Sequence, residues 1–327
     1  MTHDESTFLA ALRAHPDDDE QRLAYTAWLD ARGDARGRFL HLDLALAGML
    51  LSDPQAAALG EELDALERKV ERGWLVRVGQ RRHERFDVVL TGLHLIPVIV
   101  SLHLKDGLGL TDRERLNLSR RLEQLPLTLG HGLRRAEAQE LHQRLAFRDL
   151  GPFDEAYWRQ RHAEHGEGPF DAESHRAAWV RFTPICDIDL RLNHAHTWAE
   201  TLRSSLPQPV RATLDGEELL LEAGEGTLVA LSATPARLEV QQFGAKWTSP
   251  HSLERDHQLY RFWSLAEAPE DPVAFDHKVR AAVAEVIPER LAHFVTCRLC
   301  GQMKPPELIG RDDTCYSCGE RHLGWVH

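Results

Sequence analysis

The sequence predicts an α+β protein of several domains, and three observations lead to this fold class. The chain has 327 residues, more than a single hydrophobic core usually serves, so about two to four domains are expected. Apolar residues recur at helical spacing up to about residue 150, and further along they alternate with polar residues in short stretches. Two CxxC pairs close to the C-terminus predict a small module of their own.

Residues 1–50 are predicted to form a small helical domain. Apolar residues at helical spacing predict three short helices, and Pro16 ends the first of them. The acidic residues 17–19 then offer an N-cap and first-turn carboxylates to the second helix. A further apolar periodicity over residues 54–72 predicts a connecting helix within residues 51–82.

Short motifs in the first segment carry a resemblance to a known family. They lie at residues 16–19, 22–25, 28–29, 32–34 and 38–40. On these motifs, residues 5–45 resemble the repeat-companion domain found at the N-terminus of many multi-domain proteins of large-genome bacteria. No activity is established for that family, so the resemblance implies a domain and not a function.

Residues 83–151 show a regular order of strands and helices. The apolar strand FDVVL is followed by a helix with Pro97 in its first turn, and a second helix comes after the turn GLGL. The strand LTLGHG and a third helix complete the order. The GLGL turn predicts a helix-to-helix connection and not a dinucleotide-binding loop, because no strand directly precedes it and a third glycine is missing.

This order resembles the C-terminal domain of the bacterial ribosomal stalk protein. The matching positions are residues 86–90, 98–99, 107–110, 125–126, 132, 136–138 and 140–141. The resemblance implies an α/β sandwich whose first two helices dock translation factors through basic side chains. The corresponding positions here are Leu95, Val100, His103, Thr111 and Glu114, so we expect a protein-docking module with a changed surface. RDLGPFDE follows the third helix, where that family has its last strand.

Residues 152–290 predict a mostly antiparallel, β-rich domain with one helix. Six stretches rich in alternating apolar residues are divided by Pro, Gly and Asp turns. They are AAWVRF, CDIDLRL, VRATLDG, EELLLEA, TLVALSA and RLEVQQF. Helical spacing of Phe275, Val279, Val283 and Val286 predicts a helix over residues 272–287.

Residues 291–327 contain the most specific motif of the chain. Cys297 and Cys300 form one CxxCG knuckle, and Cys315 and Cys318 form a second. This spacing is typical of a zinc ribbon, in which four thiolates hold one Zn2+ tetrahedrally. Two disulfides are the alternative, and they require an oxidising compartment.

The predicted zinc would be structural. Gly301 and Gly319 follow the two knuckles and allow tight turns that direct backbone N–H groups at the thiolates. Four protein ligands close the coordination sphere, so that a metal held in this way folds a module and leaves no position for a substrate.

A weaker constellation lies in residues 186–196. Asp187 and Asp189 share one face of a predicted strand, and His194 and His196 follow it. Two carboxylates and two imidazoles could bind a divalent metal or act as an acid/base pair. The alternative is a solvated strand face whose carboxylates pair with arginines. Cys186, on the apolar face of the strand, is predicted to be a small buried hydrophobe.

Charge and composition narrow the classes of partner. The formal net charge of −12 disfavours non-specific binding to nucleic acid or anionic lipid, because both require Lys and Arg at phosphates. The longest apolar stretch, residues 93–104, is too short to span a bilayer. The acidic first twenty residues do not have the pattern of a secretory signal, so a cytoplasmic protein is expected.

Three functions are compatible with these features. The first is a multi-domain adaptor or scaffold that binds protein partners through the stalk-like domain and the zinc ribbon. The second is a nucleic-acid- or ribosome-associated factor, which clustering of Arg77, Arg81, Arg82 and Arg85 on one face would favour. The third is a hydrolytic or metal-dependent enzyme in residues 152–290. No P-loop, serine elbow or kinase motif occurs in the chain, so an enzyme is the less expected class.

Overall fold

The computed structural model describes residues 4–16, 18–50, 52–149, 155–164, 170–173, 182–249, 252–265 and 267–325. Over these residues the protein combines helices with several antiparallel sheets, which confirms the predicted α+β class at that level. The chain divides into two compact units. Unit 1 contains residues 1–85 and 192–327, and unit 2 contains residues 86–191. None of the described helices combines the length and the apolarity needed to cross a membrane.

The N-terminal part of unit 1 is a cluster of short helices. They are α1 (Glu5–Ala14), α2 (Asp19–Asp30), α3 (Ala35–Ala47), α4 (Pro54–Glu67) and α5 (Arg72–Val78). Aspartates at the N-caps of α2, α3 and α4 each accept a first-turn backbone N–H, which stabilises helix starts. The buried side chains of Tyr25, Leu29, Phe39 and Trp74 form the core of this cluster.

The second part of unit 1 is built on a five-stranded antiparallel sheet. Its strands are β6 (Val210–Asp215), β7 (Glu218–Ala223), β8 (Val229–Thr234), β9 (Arg237–Gln242) and β12 (Gln258–Ser264), in the order β12-β9-β8-β7-β6. Helices α10 (His194–Arg203) and α11 (Pro272–Ala292) pack on this sheet. Leu221, Leu231 and Val240 of the strands meet Ala199 and Val279 of the helices in the core. A hairpin of β10 (Ala245–Ser249) and β11 (Ser252–Arg255) precedes β12.

Unit 2 contains a three-stranded sheet with helices. Its elements are β1 (Phe86–Leu93), α6 (Pro97–Leu108), α7 (Asp112–Arg121), β2 (Leu127–Leu133), α8 (Arg135–Ala146), β3 (Phe147–Asp149), α9 (Glu155–Glu164), β4 (Phe182–Pro184) and β5 (Cys186–Leu192). The sheet order is β2-β1-β5. β5 runs antiparallel to β1. The direction follows from two hydrogen bonds, in which the His94 N–H donates to the Ile185 carbonyl and the Thr91 hydroxyl donates to the Asp187 carbonyl.

The structure differs from the sequence-based expectations in several elements. β5 was expected in the β-rich sheet, but it pairs with β1 because its apolar face closes the core around Val88 and Leu90. Residues 194–203 form the unpredicted helix α10, which begins where the Asn193 side chain accepts the His196 N–H. The predicted connecting helix ends at Glu67, and α5 then starts at Arg72. Most of AAWVRF lies outside the described residues.

Candidate metal centre

The structure brings the four predicted cysteines together. One sulfur atom from each of Cys297, Cys300, Cys315 and Cys318 lies within 4.8 Å of every other. A tetrahedron with metal–sulfur bonds of about 2.3 Å places its sulfurs about 3.8 Å apart. All four thiols are free, so the group could hold a metal ion, and the disulfide alternative is not what the structure contains.

A short hairpin positions the first pair of cysteines. β13 (Val295–Thr296) pairs with β14 (Met303–Lys304), and the Cys297 N–H donates to the Gln302 carbonyl at 2.9 Å. The chain then turns back sharply, and the Gly301 N–H donates to the Cys297 carbonyl at 2.8 Å. Gly301 has φ +70°, a conformation that favours glycine. The tight turn predicted at Gly301 is therefore present.

A helix start positions the second pair. Cys315 is the N-cap residue of α12 (Tyr316–Leu323), and Cys318 follows in the first turn. The N–H groups of Cys318 and Gly319 donate to the Cys315 carbonyl at 3.0 and 2.9 Å. This arrangement places the sulfurs of Cys315 and Cys318 within 4.8 Å of each other and of those of the first pair.

Gly319 has a different role from the predicted one. It lies inside α12 and does not form a separate tight turn. A Cβ atom added at Gly319 would lie 2.0 Å from Cε3 of Trp325. Glycine is required here because the indole of Trp325 packs directly on the backbone of the second knuckle. Trp325 lies beyond the C-cap Gly324 and folds back onto α12, where its backbone N–H donates to the Gly319 carbonyl at 3.1 Å, so the CxxCG spacing alone could not reveal this packing.

Hydrogen bonds favour ionisation of one sulfur. The Cys315 N–H donates to Sγ of Cys297 at 3.3 Å, and this bond, followed by one from the Cys300 backbone, lowers the pKa of Cys297 to about 6. Hydrogen bonding to Cys315 and the other neighbouring thiols raises the pKa of Cys318 to about 12. Ionisation of one sulfur therefore disfavours ionisation of its neighbours, since neighbouring thiolates repel one another. A divalent cation between them would remove this conflict, because coordination deprotonates thiols.

A buried ion pair fastens the cysteine module to the sheet of unit 1. Arg290, near the end of α11, pairs with Glu307, and the side chains are 5% and 6% exposed. The Arg290 guanidinium also lies 5.3 Å from the ring centroids of both Phe243 and Phe294. The module is therefore held by its neighbours as well as by its own cysteines.

The weaker constellation is engaged in separate contacts. In unit 2, Asp187 lies 2.9 Å from His94 and Asp189 lies 3.2 Å from Arg191. In unit 1, the fully buried His196 places Nε2 3.0 Å from the Glu217 carbonyl and 2.9 Å from that of Ala233. His194 is the first residue of α10. Over the described residues, the four cysteines are the only group of three or more potential ligands close enough to hold a metal.

The arginines between residues 77 and 85 are mostly neutralised within unit 1. Arg81 is 1% exposed, and only Arg77 of this group is fully at the surface. The ion pairs are Arg81–Asp19, Arg81–Glu84, Arg82–Asp64, Arg82–Glu67 and Arg85–Glu200. These ion pairs neutralise much of the positive charge of Arg81, Arg82 and Arg85, and clustered unpaired arginines are what would favour nucleic-acid binding.

Comparison with known proteins does not add a relative to this picture. No family model, curated protein or solved structure matches the chain. The features that bear on function are therefore the cysteine site, the exposed surfaces and the charges of the chain itself.

Proposed function

We propose that this chain is a cytosolic multi-domain adaptor or scaffold that binds protein partners through unit 2 and the cysteine module, with Zn2+ as a structural ion. Its activity would be equilibrium binding without turnover. The five unpaired cysteines fit a reducing compartment. The observation that carries the proposal is the exposed apolar face of α6.

Helix α6 and the loop before it expose a row of large apolar side chains. Ile96 and Val98 are 64% and 54% exposed. Neighbours at helical spacing continue the row, and the full set is Leu95, Ile96, Val98, Ile99 and Leu102. Contiguous exposed apolar surface of this kind marks interaction sites on soluble proteins.

The opposite face of α6 is already used for folding. Val100 and Leu104 are completely buried in the core of unit 2. The helix is therefore apolar on both faces, and such helices are usually buried on both. A protein partner that covers the outer face would complete the burial.

Helix α7 indicates the charge of this partner. Arg113, Arg120 and Arg121 are exposed, and in the described part of the chain they have no ion-pair partner. Leu116, on the same helix, is 53% exposed. We infer a partner surface with apolar side chains and flanking Asp or Glu residues, which would be steered to unit 2 by these arginines.

The resemblance to the stalk domain is part of the proposal. The strand, two helices, strand and helix of unit 2 follow that order, and β5 would supply the last strand after a long insertion. The family's basic positions have other uses here. Thr111 and Glu114 form the capping box of α7, and Val100 is in the core. Of the five corresponding positions, only Leu95 is part of the proposed apolar surface.

The cysteine module offers a second docking surface. Leu299, Met303, Leu308 and Leu323 are each at least 39% exposed on this small module. Structural zinc is the ion we propose there, because four clustered thiolates suit Zn2+ better than hard cations such as Mg2+ or Ca2+. A metal-held scaffold would present these side chains in a fixed arrangement.

Affinity purification from the native cytosol tests the proposal. The tagged full-length chain, treated with nuclease, should retain a stoichiometric protein partner, and Val98→Asp should lose it. Asp in the first turn of α6 interacts favourably with the helix dipole, so folding should be unaffected. Leu23→Asp is the control. It also replaces an exposed apolar side chain with Asp, at a position 44% exposed on α2, and it should keep the partner.

Two results would contradict the adaptor function. Recovery of partners that disappear with nuclease would favour nucleic-acid association instead. Equal recovery with wild type and Val98→Asp, with both proteins folded, would show that the apolar face of α6 is not the docking surface.

A further inference from the structure

A cleft in unit 1 has no role in the proposed docking function. Its volume is about 600 Å3, and it is lined by residues from α4, α5, α10 and the 3-10 turn Arg81–His83. This volume is within the range of small-molecule sites, about 300–1,000 Å3. None of the four cysteines lines it.

Two buried nitrogen atoms of cleft residues lack hydrogen-bond partners. They are Nε2 of His83 and Nε of Arg72, and neither has a partner in the part of the chain that the structure describes. Nη2 of Arg72 donates to Asp276 at 2.9 Å and to the Thr201 carbonyl at 3.1 Å, and Nη1 lies 4.0 Å from Glu67. Buried polar atoms without partners are destabilising, so a ligand that accepts these hydrogen bonds would be favoured.

Guanidinium groups outnumber carboxylates in the lining. The four arginines are Arg68, Arg72, Arg82 and Arg203, and the three carboxylates are Asp64, Glu67 and Glu200. Each carboxylate already has a guanidinium partner. Arg68 is exposed at the rim and has no ion-pair partner over the described residues. Arg72 is paired with Asp276 outside the lining, so the unpaired charge of the cleft is that of Arg68, and its unused nitrogens are Nε of Arg72 and Nε2 of His83.

His83 is affected by this charge. Burial, and then repulsion from Arg82, Arg85, Arg72 and Arg203, holds the pKa of His83 well below its usual range. The imidazole is thus neutral at pH 7. A negative group in the cleft would offset the repulsion and would raise this pKa.

We propose that this cleft binds the oxyanion group of a small molecule, a phosphate or a carboxylate, with Arg72 and His83 as donors and Arg68 as a charged rim. A guanidinium N–H donates a charge-assisted hydrogen bond to a carboxylate or phosphate oxygen, and such bonds are stronger than those between neutral groups. The proposal is independent of the docking surface on unit 2.

The test follows the histidine side-chain signals of the full-length protein by NMR. Inorganic phosphate and, separately, acetate are titrated at constant pH and ionic strength. One signal should shift with saturation, and its absence from His83→Gln would assign it. The anion that saturates at the lower concentration identifies the class of ligand.

Variants test the donors. Arg72→Lys keeps the charge and loses the Nε donor, so it should weaken binding about tenfold. Arg68→Gln, at an exposed position that should not affect folding, should also weaken it. The matched control is Arg77→Lys, which lies on α5 like Arg72 but outside the cleft. This variant should bind the anion like wild type. Shifts without saturation for both anions, or unchanged affinity in both Arg72→Lys and Arg68→Gln, would overturn the proposal and would indicate a cleft filled by water.

Discussion

Arg290 and Glu307 form a buried ion pair that joins the long helix α11 to the cysteine module. The pair joins residues 152–290, predicted as the β-rich domain, to residues 291–327, predicted as the zinc ribbon. Arg290 also donates from Nε to the Thr227 carbonyl at 3.4 Å, so that one side chain contacts the helix, the sheet and the module. Stability of the sheet and stability of the cysteine site should therefore be linked.

Replacing Arg290 with Ala should be strongly destabilising. The change leaves the carboxylate of Glu307 buried without its partner, and such a loss costs about 3–5 kcal/mol. Denaturant unfolding measures the change in the free energy of unfolding. Arg261→Ala is the control, because its pair with Glu285 is about half exposed on both sides and is worth at most about 1 kcal/mol. Similar losses for the two variants would contradict the role of Arg290.

Purified protein should contain one Zn2+ per chain. Replacing Cys297 or Cys315 with Ser should release the metal, because both side chains are buried and a hydroxyl is a poor substitute for a thiolate ligand. Elemental analysis of the dialysed protein measures the metal content. Full zinc content in the double variant would exclude the four-cysteine site.

A chelator should also lower the melting temperature, since metal binding contributes to folding of such modules.

The two glycines that end α6 should resist substitution for different reasons. Gly109 has φ +66°, so Gly109→Val should cost about 1–2 kcal/mol of backbone strain. A Cβ at Gly107 would lie 2.4 Å from Cδ2 of Leu145, so Gly107→Val should cost about 1–3 kcal/mol through overpacking. Gly60→Ala is the control, because a Cβ there meets nothing within 4 Å and should stabilise α4. Unchanged melting temperatures for both Val variants would argue against this turn.

Cys186 should react with alkylating agents much more slowly than Cys300. Burial raises its pKa to about 12, whereas an unfolded cysteine ionises near pH 8.5. Between these values the unfolded state loses its proton first, so ionisation of this thiol lowers stability as pH rises. Alkylation at pH 8 after metal removal, read by mass spectrometry, should modify the exposed Cys300 well before Cys186. Equal rates in the folded protein would show that Cys186 is not buried.

Local signals were sufficient for most single elements. The helix starts at Asp18 and Asp53, the proline in the first turn of α6 and the strands β6 to β9 depend on neighbouring residues, so propensity, capping and periodicity predict them. Helix α10 was not predicted, and its place is set by Trp198 and Leu202, which pack on the sheet. The pairing of β5 with β1 was also not predicted, because the sequence pattern of a strand does not specify which sheet the strand joins.

The four candidate ligands can be read directly from the sequence, because two CxxC pairs are a covalent property of the chain. The folded structure sets their surroundings. It packs Trp325 on Gly319, pairs Arg290 with Glu307, and separates the partners of Asp187 and Asp189 from those of His196. The physical reason is that these contacts join residues whose spacing along the chain has no periodicity, so that they are fixed by burial and charge pairing in the folded molecule.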